Sequence, residues 1–334
     1  MAALRRPGER LRLLRDVARL DHTQTDDSRW PCEPDESGPD FFLYDLSWLA
    51  FCGPNFNFEP IEEATDIAIT SLANLRDAMA KLFEMHAPTA IAVKSQHAYF
   101  RTLAWKQRSD DEAARALEHV LARGDDRDLD QGLCLGDWCW ARGVEHCIEH
   151  NLPFKLHTGY HAGNHLMPVD DIKGGNLCPL LKRYPDAKFV LMHIAYPYCD
   201  ELVAIAKHYR NVWVDLCWAW SIDPYSSMDF VRRFIHAAPI NKLFGFGGDT
   251  GSATTAYSYA LQMRKWLTRA LQAEVDAGDM TERDAMEIAS RLLRDNQIAC
   301  FDVAGTRAAI EQQLQATPRS APVATGAGTQ TARS

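Results

Sequence analysis

The 334-residue chain has no Cys-x-x-Cys pair, no long uncharged apolar run, no cluster of lysine and arginine and no internal repeat of fixed period. Each absence narrows what the protein can be. Its nine cysteines are scattered from Cys32 to Cys300, and the spacing of Cys134 and Cys139 does not fit a zinc knuckle. An odd count over so long a chain argues against a disulfide framework, so buried thiols in a reducing, cytoplasmic compartment are expected. Without an apolar span, and with a basic N-terminal stretch interrupted by charge throughout, neither a membrane helix nor a signal peptide is expected. A formal net charge of −9 without a basic run argues against a nucleic-acid partner.

What the chain does have is apolar residue, 46% of the total, enough for one large core. Five short runs are apolar on both faces: Thr89 to Val93, Pro153 to Leu156, Lys188 to Met192, Asn211 to Leu216 and Lys242 to Gly247. That is the pattern of strands buried inside a parallel sheet. Amphipathic stretches lie between them. Ser71 is placed to cap a helix with Leu72, Leu75, Met79, Leu82 and Phe83 on one face, and others are expected over 201–209, 230–235 and 256–277. Thr281 with Asp284 reads as a capping box opening another helix. Strand, helix, strand in this rhythm predicts right-handed βαβ units and an α/β fold of the barrel type. A single barrel domain is expected over 1–315. The stretch 30–60, rich in Pro, Gly, Asp and aromatics, reads as a long loop or inserted subdomain, and the polar tail 316–334 as disordered.

The informative polar residues follow the buried runs. Lys94, His157, His193 and Asp249 each follow one, and Asp215 lies near the end of another. In a parallel barrel the carboxyl ends of the strands meet at one mouth. Two imidazoles and a carboxylate converging there are what a metal-assisted hydrolytic site requires.

The stretches KLHTGYHAGN, YPDAKFVLMHIAYPY, NVWVDL and LFGFGGDT, carrying Lys, His, His and Asp in that order, resemble the amidohydrolase superfamily in its amidohydrolase-related branch. The nearest likeness is to amidohydrolase domains fused to glutamine-synthetase-like domains, and it runs from Lys94 to Val303. The resemblance implies a (β/α)8 barrel with Lys94, His157, His193 and Asp249 on strands four, five, six and eight. It implies that His157, His193 and Asp249 hold one divalent ion, zinc or else manganese, and that Asp249 is also the catalytic proton shuttle. Lys94 would join a second metal only if carbamylated. The family's His-x-His at the end of strand one has no counterpart in this sequence. His22 is solitary and is expected to end strand three, so the barrel is expected to be incomplete, with strands one and two absent from a chain that starts inside the second helix.

Around the mouth, His97, Tyr160, His161, Asn164, Tyr196, Trp218 and Trp220 are candidates for substrate contact. Aromatic walls with several donors suit a small polar or carboxylated molecule. His86, His119, His146, His150, His208 and His236 fall on helices or turns and read as structural. Hydrolysis of a C–N bond is the leading activity. Uronate isomerisation or decarboxylation on the same barrel, and an inactive barrel that binds a partner, are the alternatives. Trp- and Cys-rich loops suggest a homo-oligomer.

Overall fold

The computed structural model describes residues 8–123, 128–163 and 166–316. Seven strands form one parallel sheet in chain order. They are β1 (Thr23–Thr25), β2 (Phe42–Ser47), β3 (Ala90–Ser95), β4 (Phe154–Leu156), β5 (Phe189–Met192), β6 (Val212–Asp215) and β7 (Leu243–Phe244). The sheet curls into most of a barrel. Incompleteness was expected, but two missing strands would leave six, and the described residues hold seven. The additional one is β2, inside the stretch expected as a loop or subdomain. His22 does not end a strand; it stands immediately before β1, the first strand of the sheet.

Helices cover the outside. Ser71 caps helix Leu72–His86 by accepting from the Asn74 amide, and Thr281 with Asp284 forms a capping box on helix Glu282–Ser290. The helices expected around 201–209, 230–235 and 256–277 are Cys199–His208, Pro224–Ala237 and Ala253–Ala277. No helix among the described residues is long and apolar enough to cross a membrane. All nine cysteines are free thiols, and seven of them are buried. Ala316 ends the last helix, and the rest of the tail lies outside the described residues.

Strand alternation divides the side chains into two sets. Phe154, Leu156, Phe189, Leu191, Val212 and Val214 point outward into the main core beneath the helices. Leu43, Ile91, Ala92, Val190 and Phe244 form a second cluster, the apolar floor of the barrel, closed by Phe301, Val303 and Ile310. Above this floor the interior turns polar, with Asp45, Lys94, Lys155 and His157 all buried. On the side between β7 and β1, the helical stretch Glu9–Val17 packs Leu14 against Ala253 and Ala256. There Arg264 donates to the Ala18 carbonyl, and Arg307 donates to the Asp40 carbonyl and pairs with Asp21.

Candidate metal centre

His157 directly follows β4 and His193 directly follows β5, so neighbouring strands deliver both rings to one place. His157 Nδ1 and His193 Nε2 lie 3.0 Å apart. The opposite nitrogen of each ring is already committed: His157 Nε2 to the Tyr160 carbonyl at 3.1 Å, and His193 Nδ1 to the Cys217 carbonyl at 2.8 Å. A nitrogen facing a carbonyl must carry the proton, so each neutral ring presents a lone pair to the other. Two facing lone pairs repel unless a proton or a cation lies between them. Burial, reinforced by the neighbouring imidazole and Lys94, pushes His157 well below the ordinary histidine range. Burial also lowers His193, against the pull of Asp249 and the Cys217 carbonyl. Neutral donors at this separation are what a metal with nitrogen ligands at about 2.0–2.1 Å accepts.

Asp249 completes the group: its oxygen and the two histidine nitrogens lie within 4.8 Å of one another. Its side chain is 25% exposed, with Oδ2 3.7 Å from His193 Nε2. Burial raises its carboxyl, but His193 and Lys94 together hold it below the usual carboxylate range. Lys94, inside β3 rather than past its end, bridges Asp249 Oδ1 at 3.5 Å and Asp26 Oδ2 at 3.4 Å. Burial disfavours its charge, yet Asp249 and Asp26 raise its pKa, so it stands as a paired ammonium.

Beneath these groups Lys155 pairs with Asp45 at 2.5 Å and donates to Gln24 at 3.1 Å, and Asp215 is pushed up to about 6 by burial. Sequence reasoning missed Lys155, Asp45, Asp26 and Gln24. Lys155 is two residues before His157 on one strand, so alternation alone places both on the interior face. Two neutral imidazoles and a carboxylate are a donor set that fits one divalent ion.

The backbone around the group is constrained. His193, Ile194 and Ala195 have φ of 62°, 48° and 48°, Trp218 has 60° and Asp249 has 45°. Consecutive left-handed residues that are not glycine are costly, and they gather here at the strand ends. Two close approaches hold the loops together. A Cβ on Gly159, which has φ of +74°, would lie 2.5 Å from the Ala195 carbonyl carbon, and one on Gly247 would lie 2.5 Å from Cys217 Sγ.

The expected substrate contacts divide. Tyr160, Tyr196 and Trp218 are half-buried beside the histidines: Trp218 is 5.6 Å from the His193 ring and 5.7 Å from Tyr160, and Tyr160 is 6.4 Å from Tyr196. His161 lies 5.5 Å from His157 and stacks at 4.3 Å on Tyr99, a wall residue that sequence reasoning missed. His97 and Trp220 are not brought there. His97 packs 4.1 Å from Trp140 in the helical layer, and Trp220 is buried in the main core with its indole donating to Gly245. Asn164 lies outside the described residues. His86, His119, His146, His150, His208 and His236 lie on helices or at a helix end, as expected. His236 does join Glu274 and Asp279 in a second, surface group, where Glu274 is already paired with Arg232.

The sequence profile of the amidohydrolase family matches residues 80–281. The chain belongs to the amidohydrolase family. Protein fluG of Emericella nidulans is 28% identical over 157 residues, 46% of this chain and 18% of that protein, so the chain spans less than a fifth of this relative. Among solved structures, uronate isomerase of Thermotoga maritima matches with a TM-score of 0.73 at 16% identity, covering 87% of this chain and 69% of that one. Glucuronate isomerase of Caulobacter crescentus gives 0.71 at 18%, covering 90% and 67%. A Lactobacillus casei protein described as a metal-dependent hydrolase gives 0.68 at 16%, covering 91% and 76%. At these identities the likeness is one of fold. It shows the same curled parallel sheet in this chain.

Proposed function

We propose that the chain is a metal-dependent hydrolase acting on a C–N bond of a small polar molecule. The observation that carries this reading is the pair of opposed imidazole lone pairs, His157 Nδ1 and His193 Nε2, with Asp249 beside them. These three residues would hold one divalent ion, zinc or manganese. Bound there, such an ion supplies Lewis acidity, polarising a carbonyl and lowering the pKa of water. The chain's own groups do the rest. Asp249, ionised and partly open to solvent, accepts a proton at a carboxylate oxygen and returns it to the leaving nitrogen. Lys94 fixes the far side of that carboxylate, and the Cys217 and Tyr160 carbonyls hold the two rings in their tautomers.

Elemental analysis of the purified chain beside a His157→Ala variant tests the reading. Near-stoichiometric zinc or manganese, lost in the variant, is the expected result. Metal-free protein that folds equally well with and without His157 would sink it and favour a barrel that only binds a partner. Isomerisation of a uronic acid is a second reading, favoured by the two isomerases that share the fold. Product analysis with uronic acids and with simple amides separates the two.

A further inference from the structure

The wall of the site is made of rings. Starting from Tyr99, 4.7 Å from His157, the chain of contacts runs through His157, His193, Trp218 and Tyr160 to Tyr196, each ring within 6.4 Å of the next, and the Tyr160 carbonyl links back to His157. Tyr99, Tyr160, Tyr196 and Trp218 are all half-buried rather than buried. Buried rings in a core turn both faces to other side chains; rings that stop at half burial beside a candidate metal centre leave a surface for something flat.

The polar edges of this wall are unspent. Among the described residues no hydrogen bond engages the Tyr160 hydroxyl, the Tyr196 hydroxyl or the Trp218 indole N–H, whereas Trp220, Trp138 and Trp48 each donate to a partner. Nor does any arginine or lysine among the described residues lie over these rings. Lys94, the ammonium beside Asp249, is bound by both Asp26 and Asp249, and Lys155 beneath it is paired with Asp45. The wall therefore offers faces and neutral donors, and no free counter-ion for a carboxylate.

We propose that the part of the substrate away from the reacting bond is a flat, uncharged ring bearing hydrogen-bond acceptors, an aryl or heteroaryl group seated against Trp218 and Tyr160. The inference rests on the hydrolase reading and narrows its substrate class to aromatic amides and related C–N compounds. Offset or edge-to-face geometry rewards a π-system over a puckered aliphatic ring of similar size. Two such contacts give a preference on the order of tenfold in affinity.

The test is titration calorimetry of the purified protein, with and without added zinc, against benzamide, cyclohexanecarboxamide and D-glucuronate, repeated on Trp218→Leu and Tyr160→Leu. Thermal melts verify that both variants fold. The expected result is benzamide bound about tenfold more tightly than cyclohexanecarboxamide, with the ratio falling towards one in the variants. No saturable benzamide binding, a ratio near one in the unaltered protein, a ratio unchanged in both variants, or tighter binding of glucuronate would each overturn the proposal. Ring selectivity in a protein that holds no metal would leave the proposal standing and remove the hydrolase reading. Stoichiometric metal without ring selectivity would do the reverse.

Discussion

Replacing Asp137 measures what holds the Tyr99 side of the wall in place. Arg101, two residues after Tyr99, sends Nη2 to Asp137 Oδ1 at 2.6 Å, and both side chains are only 2% exposed. The same guanidinium donates to the Cys52, Thr102 and Ala104 carbonyls, tying the loop after β3 to helix Leu129–Glu149. In Asp137→Ala the guanidinium keeps its carbonyls but loses its only buried counter-ion among the described residues. Breaking such a pair costs about 3–5 kcal/mol, a large share of the roughly 5–15 kcal/mol that holds a typical fold together. Asp137→Asn separates charge from hydrogen bonding. Burial raises the Asp137 carboxyl even against Arg101 and Arg108, so desolvation outweighs attraction, and a neutral amide that keeps the acceptor is expected to lose about half as much. Arg108 is 21% exposed and can turn to solvent. Urea unfolding at neutral pH reads both variants. A loss below about 1 kcal/mol for the alanine variant, or equal losses for both, would refute the reasoning.

Three further outcomes follow from the same geometry. In metal-free protein, Asp215→Asn is expected to be stabilising near pH 7. The carboxyl rises from an ordinary 3.8 to about 6 on burial, so its contribution is fully present below pH 3.8 and lost as pH rises through 6. At about 1.36 kcal/mol per unit the gain reaches about 3 kcal/mol, and urea melts from pH 4 to 7 should show the two proteins diverging as pH rises. Gly159→Ala should cost at least about 1–2 kcal/mol from the left-handed backbone alone, and its clash with Ala195 should lower metal content as read by elemental analysis. Thr281→Ala removes a capping box far from the site and should cost about 1 kcal/mol in a thermal melt, with metal content unchanged.

The strands that were legible from sequence are those whose outward and inward residues are both apolar, such as Phe189–Met192 and Leu243–Phe244. The two that were not are hidden by the polar interior. β1 reads Thr-Gln-Thr, with Gln24 turned to Lys155, and β2 carries Asp45 in mid-strand because Lys155 waits opposite. A charge in a strand looks like a loop until its partner, 110 positions away, is known. The histidine and aspartate ligand candidates were legible because each directly follows a strand or lies in the loop beyond one. Which tryptophan reaches the site was not. Trp218 has a left-handed backbone, and that single φ of 60° breaks the alternation that would otherwise carry the pattern past β6. Tyr99 was missed for a similar reason, since it lies on the short 3-10 turn His97–Tyr99, which abandons strand period altogether.

The apolar floor of the barrel has a consequence for how the chain is made. Leu43 and Ile91 enter the floor early in synthesis, yet the residues that close it, Phe301, Val303 and Ile310, are translated more than 200 positions later. Arg264 and Arg307 likewise reach residues 246 to 286 positions upstream. A nascent chain carrying all seven strands thus presents an oily bore to its surroundings until the closing helix emerges from the ribosome. Contacts of such long sequence separation form slowly, and exposed apolar surface in the interval invites association with chaperones or with other nascent chains.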